Sequence, residues 1–194
     1  MKKVLLIVLL GLSSTGFSQK IKLIEGDLSA LKGLTGINNE FNYDNMAVGK
    51  FPKEADYVEK KKSDYNNKEA GKGDKWEEAW KNDRTEKYEP EFRDQFSKAS
   101  SFSIVSDSPV TMIFKTTETE PGYNVVVKSA PAFINGEAWF VDSKNPSKVL
   151  AKVSVTKALG RAIFGNEFDT GARLQESYAK AGRELGLFVR SKLK

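Results

Sequence analysis

Three large aromatics, a handful of arginines and one Asp-Thr-Gly tripeptide are the side chains of this sequence whose types and spacing can do chemistry. Trp76, Trp80 and Tyr88 stand among charged residues, and rings so placed can stack on a sugar or an aromatic ligand. The i, i+4 spacing of the two tryptophans is also that of a buried stripe on an amphipathic helix, and periodicity favours this second reading. Arg161 and Arg173 are candidates for holding an anion, with Arg183 and Arg190 further along; surface charge near a helix C-terminus accounts for them equally. Glu77 and Glu78 are sequence neighbours, so on a helix they point about 100° apart and do not face each other across one bond. The oxygen-rich run Asn38-Asn39-Glu40 and Asn42-Tyr43-Asp44-Asn45 lacks the spacing of a calcium loop and reads as strand ends and an Asx turn.

Phe168-Asp169-Thr170-Gly171-Ala172 resembles the catalytic tripeptide of aspartic proteases, which need two such carboxylates sharing one proton. That family sets its Asp at the end of an apolar strand and follows it with further strands. Here Asn166-Glu167 precede and a helical pattern begins within three residues, so Asp169 or Thr170 is expected to cap the last helix. Other chemistries are closed by composition: no His and no Cys means no imidazole base, no Ser-His or Cys-His pair, no thiolate metal site and no disulfide. No cofactor or metal is expected. Gly160 to Gly165 is followed by no Gly-Lys-Ser/Thr and is not a phosphate loop.

The elements that must position these residues begin after a leader. Lys2 and Lys3, the apolar Val4 to Leu12 and the small-residue exit Ser13 to Ser18 read as a signal peptide cut before Gln19, which predicts a periplasmic or exported protein. Removing residues 1–18 from the 194 leaves 176, enough for one domain with its own core. Charge divides unevenly: residues 19–142 carry 18 basic and 22 acidic side chains, and residues 143–194 carry 11 and 4. The basic tail can face lipid headgroups or polyanionic glycans, though a solvated helix face is the plainer meaning.

Alternation predicts a first strand at Ile37 to Asn45, with a possible short one at Ile21 to Ile24. A charged helical segment at about 50–100 follows: one helix through Lys53 to Asn66, one capped by Asp74 after a loop at Lys68 to Lys75, and one restarted by Pro90. Val110 to Thr117, apolar on both faces, reads as an inner strand. Pro121-Gly122 predicts that it forms a hairpin with Tyr123 to Lys128. Phe133 to Asp142 and Lys148 to Thr156 make a second hairpin around residues 143–147, and Leu174, Tyr178, Ala181, Leu185 and Phe188 form the stripe of a long C-terminal helix. The expected fold is α/β (or α+β): a single domain over 19–194 with a mixed five-stranded sheet, helices packed on it, and the first strand parallel to Val110 to Thr117.

The residues Glu120-Pro121-Gly122-Tyr123-Asn124, Ala130-Pro131-Ala132, Phe168-Asp169-Thr170-Gly171 with Arg173, Glu176, Tyr178-Ala179-Lys180-Ala181-Gly182 and Leu185-Gly186 resemble a group of uncharacterised exported proteins of Gram-negative bacteria. More loosely, Gly136-Glu137 through Val141-Asp142-Ser143 to Val149-Leu150, closed by the C-terminal helix, is similar to envelope lipoproteins with a fold like the TolB amino-terminal domain. This resemblance covers about residues 105–194. It implies a compact mixed-sheet domain working in envelope assembly or protein interaction, and it carries no catalytic residues over. The chain departs in lacking a lipidation Cys and in its charged helical segment. The expected function is therefore a non-enzymatic periplasmic or cell-envelope module that binds another envelope protein and can also meet a membrane surface, with no lipid anchor and no nucleic-acid partner; the sequence does not give its oligomeric state. The alternatives are a small-molecule or glycan binder using Trp76 and Trp80, and a carboxylate-dependent hydrolase.

Overall fold

The computed structural model describes residues 20–125, 128–160 and 170–194. The expected leader at 1–18, Arg161 and Asp169 lie outside the described residues. Described elements run, in order, β1 (Lys20–Gly26), β2 (Gly36–Asn42), β3 (Ala47–Val48), α1 (Glu54–Asn66), α2 (Lys72–Asp83), a π-turn (Arg84–Tyr88), α3 (Glu89–Ser100), β4 (Ser103–Ile104), β5 (Val110–Glu120), β6 (Tyr123–Val125), β7 (Lys128–Ala130), β8 (Phe133–Asp142), β9 (Asn145–Leu159) and α4 (Thr170–Leu193). The class is mixed α and β: a seven-stranded sheet in the order β1-β9-β8-β5-β2-β4, with β3 also pairing β5, and a long C-terminal helix.

The strand count is seven rather than five because three strands are added and one is lost: β3 and β4 are two residues each, too short to leave a period-2 pattern, β1 does form, as the edge beside β9, and the strand expected from Tyr123 lies outside the sheet. The expected parallel pair is present, with Asn38 to Asn42 of β2 beside Thr111 to Lys115 of β5. One expectation is overturned. β5 does not fold back on Tyr123 to Lys128; it pairs antiparallel with β8, from Val110↔Asp142 to Glu120↔Phe133, while β6 and β7 pair with each other as a separate ribbon. The reason lies in length: β5 runs eleven residues, and to pair its free edge β8 offers ten where β6 offers three. Pro121-Gly122 turns the chain out of the sheet instead of back along it. The second hairpin holds, with its turn tightened to Ser143-Lys144 by the backbone N–H of Lys144 donating to Asp142 Oδ1 at 2.9 Å.

Alternation divides the sheet into two faces. Met112, Phe114, Ile134, Ala138, Phe140, Ala151, Val153 and Val155 are all buried on one of them, beneath α3 and α4. The other face, carrying Glu40, Lys115, Glu137, Trp139, Lys152 and Thr156, is covered by no described helix. Trp139 lies on it between two ammonium groups, Lys115 at 3.3 Å and Lys152 at 4.2 Å from the ring centroid, and donates its indole N–H to Glu137 at 2.7 Å.

The two covering helices run parallel, since contacts advance together along both: Gly171 lies by Asp83, Gly182 by Phe92 and Gly186 by Phe96 and Ala99. A Cβ on Gly182 would stand 2.4 Å from the Phe92 carbonyl oxygen, and one on Gly186 2.8 Å from that of Phe96. Only glycine permits backbones this close, which is why Phe92, Phe96, Ala181 and Leu185 all reach zero exposure between them. The remaining helices, α1 and α2, form a hairpin beside β3. Its start differs from expectation: Gly71, in the left-handed region at φ 79°, is the N-cap of α2, and Asp74 sits in the first turn, paired with Lys62 at 2.8 Å.

Candidate functional site

The carboxyl ends of the parallel strands β2, β3 and β5 point toward one region, as is usual for binding sites on open sheets. Tyr43 follows β2 directly, held near an Asx turn in which the N–H of Asp44 donates to Asn42 Oδ1 at 3.1 Å. Glu54 opens α1, whose first N–H donates to Met46 O at 3.0 Å. Trp80, Arg84 and Tyr88 come from α2 and the π-turn. Arg84 and Tyr88 open and close the π-turn, and both are turned inward. Tyr178 arrives from α4 and Thr116 from β5.

These groups bond to one another. Glu54 accepts from Trp80 Nε1 at 2.6 Å and pairs with the Arg84 guanidinium, which also lies over the Tyr43 ring at 4.3 Å from its centroid. Tyr43 OH donates to Glu89 Oε1 at 3.4 Å; the other Glu89 oxygen accepts from Arg93 at 3.2 Å, and Arg93 Nε reaches the buried Asn39. Tyr178 OH bonds Thr116 Oγ1 at 2.8 Å, and its ring stacks on Tyr88 at 4.9 Å with 2° between planes. Tyr88 OH has no partner, the one such buried side-chain atom among the described residues.

Burial pushes the phenols of Tyr43, Tyr57, Tyr88 and Tyr178 well above the ordinary tyrosine range. Neighbouring charge adds to this, from Glu89 at Tyr43, from Glu120 at Tyr57 and from Asp83 at Tyr88, while the Thr116 bond opposes it at Tyr178. All four stay neutral at any physiological pH. The carboxyls whose ionisation is displaced, Asp27, Asp64, Asp74, Glu77 and Asp142, all move down, held by bonds from Ser29, Lys60, Lys62, Lys81 and the Lys144 backbone respectively. Among the described residues no group of three or more acids is gathered to hold a metal ion, and no helix is long and apolar enough to cross a membrane.

The aromatic and cationic candidates distribute as follows. Trp80 and Tyr88 are 6% and 4% exposed, so their faces lie on other rings rather than on solvent. Trp76 is half-buried, stacked on Trp80 at 5.6 Å and flanked by Tyr57 and Tyr65 at 5.8 Å each; this aromatic ladder ties α1 to α2. Arg173 is buried, donating from Nε to Pro121 O at 3.3 Å and from a terminal nitrogen to Thr170 Oγ1 at 3.1 Å, and its charge reaches Tyr57. The structure thus brings Trp80 and Tyr88 into one cluster, with Trp76 and Arg173 at its margins. Glu54 and Arg84 were not singled out by sequence, and Tyr43 was read only as part of a strand end and Asx turn; the i, i+4 step from Trp80 is a signal that could have found Arg84, and nothing comparable marks Glu54. Beside Glu54 the cluster borders a groove of about 370 Å³ between α1 and α2, with Ala55 and Val58 at its floor and Glu59, Lys62, Glu77 and Lys81 around it.

No family model and no curated protein matches this chain. Among solved structures, the PelC dodecamer from Paraburkholderia phytofirmans matches with a TM-score of 0.37 and 8% identity over 85% of this chain and 98% of that one. A single-site variant of the same dodecamer matches with a TM-score of 0.37, 9% identity and the same coverage. At that level of likeness neither structure carries function across.

Proposed function

We propose that this chain is an exported, non-enzymatic interaction module of the cell envelope that meets a protein partner through surfaces its core leaves open. The observation that carries this reading is the inward commitment of its polar centre. Glu54 is taken by Trp80 and Arg84, Glu89 by Tyr43 and Arg93, Asp83 by Lys87 at 2.8 Å, and the tyrosines are fixed as neutral phenols. Catalysis by proton transfer needs a group that titrates near the working pH within reach of substrate. Here the ionisable groups are spent on holding α1, α2, α3, α4 and the sheet in one arrangement, while a whole sheet face stands uncovered by any described helix. Site-specific photo-crosslinking in cells, with the probe at Lys22 or Thr156 on that face and at buried Phe96 as control, tests it. Discrete crosslinked bands from the outer positions are expected; an absence of any crosslink to another protein from every exposed position would sink the reading.

A second reading, small-molecule or glycan binding, is favoured by the groove beside Glu54, which combines an apolar floor with a polar rim. Titration of tryptophan fluorescence with neutral oligosaccharides separates the two: a saturable change abolished by Val58→Arg supports a ligand groove.

A further inference from the structure

A second groove, about 240 Å³, runs on the far side of the parallel helix pair, lined by Gln95, Lys98 and Ala99 of α3 and Arg183, Leu187 and Arg190 of α4. Three of its six residues are cations and none is an acid. Their existing partners satisfy them poorly: among the described residues Lys98 has only an exposed bond to Asp94 at 2.6 Å, and Arg183 shares Glu184 with Lys180. Arg190 meets no carboxylate among the described residues. At the centre lies Leu187, 40% exposed and one of four large apolar side chains that the described surface leaves so open.

We propose that this groove is the docking site for an acidic segment of the protein partner, one in which two carboxylates flank an apolar side chain. The proposal rests on the interaction reading above and names the partner's chemistry. Arg183 and Arg190 are seven residues apart, about 10.5 Å along the helix axis, with Leu187 between them. In an extended segment alternate side chains share a face, so acids at both ends of a five-residue stretch and an apolar residue at its middle all point the same way; the acids then stand about 13 Å apart, and the long Glu and Arg side chains close the difference while the apolar residue covers Leu187. Guanidinium forks match carboxylates bidentately, and Lys98 on the opposite wall adds a third positive charge. A membrane surface is the poorer occupant: a bilayer engages a raised face with several apolar side chains, whereas this is a recess with one.

The test titrates the isotope-labelled chain with acetyl-Ser-Glu-Ser-Leu-Ser-Glu-Ser-amide and with its Gln-for-Glu copy, following backbone amide shifts. Saturable shifts confined to the six lining residues and their neighbours are expected, with the Gln copy weaker by roughly tenfold or more and the difference shrinking in high salt. The variant Arg183→Gln/Arg190→Gln should lose a similar factor; both side chains are at the surface, and unchanged circular dichroism and thermal midpoint confirm its fold. Equal binding of the two peptides, no binding of either, or shifts centred elsewhere overturns the proposal. So does a response of the same residues to phosphatidylglycerol vesicles when the peptides give none. If the peptides fail while crosslinks from the outer sheet face persist, the interaction reading stands and the groove is not its site; if both fail, both fall.

Discussion

Replacing Gly182 with Ala should destabilise the protein, although the same change on an isolated helix is stabilising. The added Cβ stands 2.4 Å from the Phe92 carbonyl oxygen, whereas ordinary contact begins at 3.4 Å, so α3 and α4 must part by about 1 Å. A gap of that size forfeits a quarter to a half of the dispersion attraction at each contact along the seam, and overpacking of this kind costs about 1–3 kcal/mol. Against it stands the helix-propensity gain of Ala over Gly, about 1 kcal/mol. Seam strain wins because the obstructing atom is main chain, which cannot swing aside. A main-chain clash puts the strain in the upper half of that range, about 2–3 kcal/mol, so the expected net loss is about 1–2 kcal/mol, read as a fall in the urea midpoint by tryptophan fluorescence and far-ultraviolet circular dichroism with an unchanged m-value. A variant as stable as the parent, or more stable by the propensity increment, would refute the idea that the two helices meet at backbone distance.

Glu54→Gln removes the anion that holds Arg84 and Trp80; with both charged side chains 21% exposed the loss should be about 2 kcal/mol, and the Glu54→Gln/Arg84→Gln pair should cost less than the sum of the single changes in a double-mutant cycle. Tyr178→Phe orphans Thr116 Oγ1 and should cost about 1–2 kcal/mol by the same denaturation assay, with Thr116→Val in the same chain restoring much of it. Four of the six tyrosines have raised folded pKa values, so their contribution is fully present below the unfolded value of 10.0 and is lost as pH rises above it, by up to about 1.4 kcal/mol per pH unit for each. Spectrophotometric titration should show those four ionising only as the fold is lost, and four phenols ionising near pH 10 with the circular dichroism intact would contradict the buried centre.

What could be read from sequence was whatever repeats with a period. The apolar run Val110 to Phe114 announced an inner strand, the stripe through Leu174, Tyr178 and Leu185 announced the covering helix, and the long helical crossover implied that β2 and β5 are parallel. Strand pairing was less legible. Pro121-Gly122 has the chemistry of a turn, but a turn does not say which strand receives the chain afterwards; that was decided by the ten-residue partner β8. The two-residue strands β3 and β4 are held by neighbours rather than by their own pattern. The tyrosine centre draws on β5, α1, α2, the π-turn, α3, α4 and the residue after β2, so it has no spacing along the chain to betray it. Nor does a π-turn leave a compositional mark: Arg-Thr-Glu-Lys-Tyr would serve an ordinary helix as well.

The edge strand carries a consequence for the order of events. Among the described strands β1 pairs only with β9, so Lys20 must wait for Thr156 and Leu23 for Val153. A chain that emerges from its N-terminus therefore delivers this strand first and can seat it only when nearly everything else has appeared. Closing so long a loop costs little more than closing a short one, because the entropy grows only with the logarithm of length; the penalty is in time. During that interval β1 is an unpaired template, and the alternating Lys20 and Lys22 with the bulge between Leu23 and Glu25 are what keep it from pairing with a stranger. The last stitch of the sheet is thus made with the first thread.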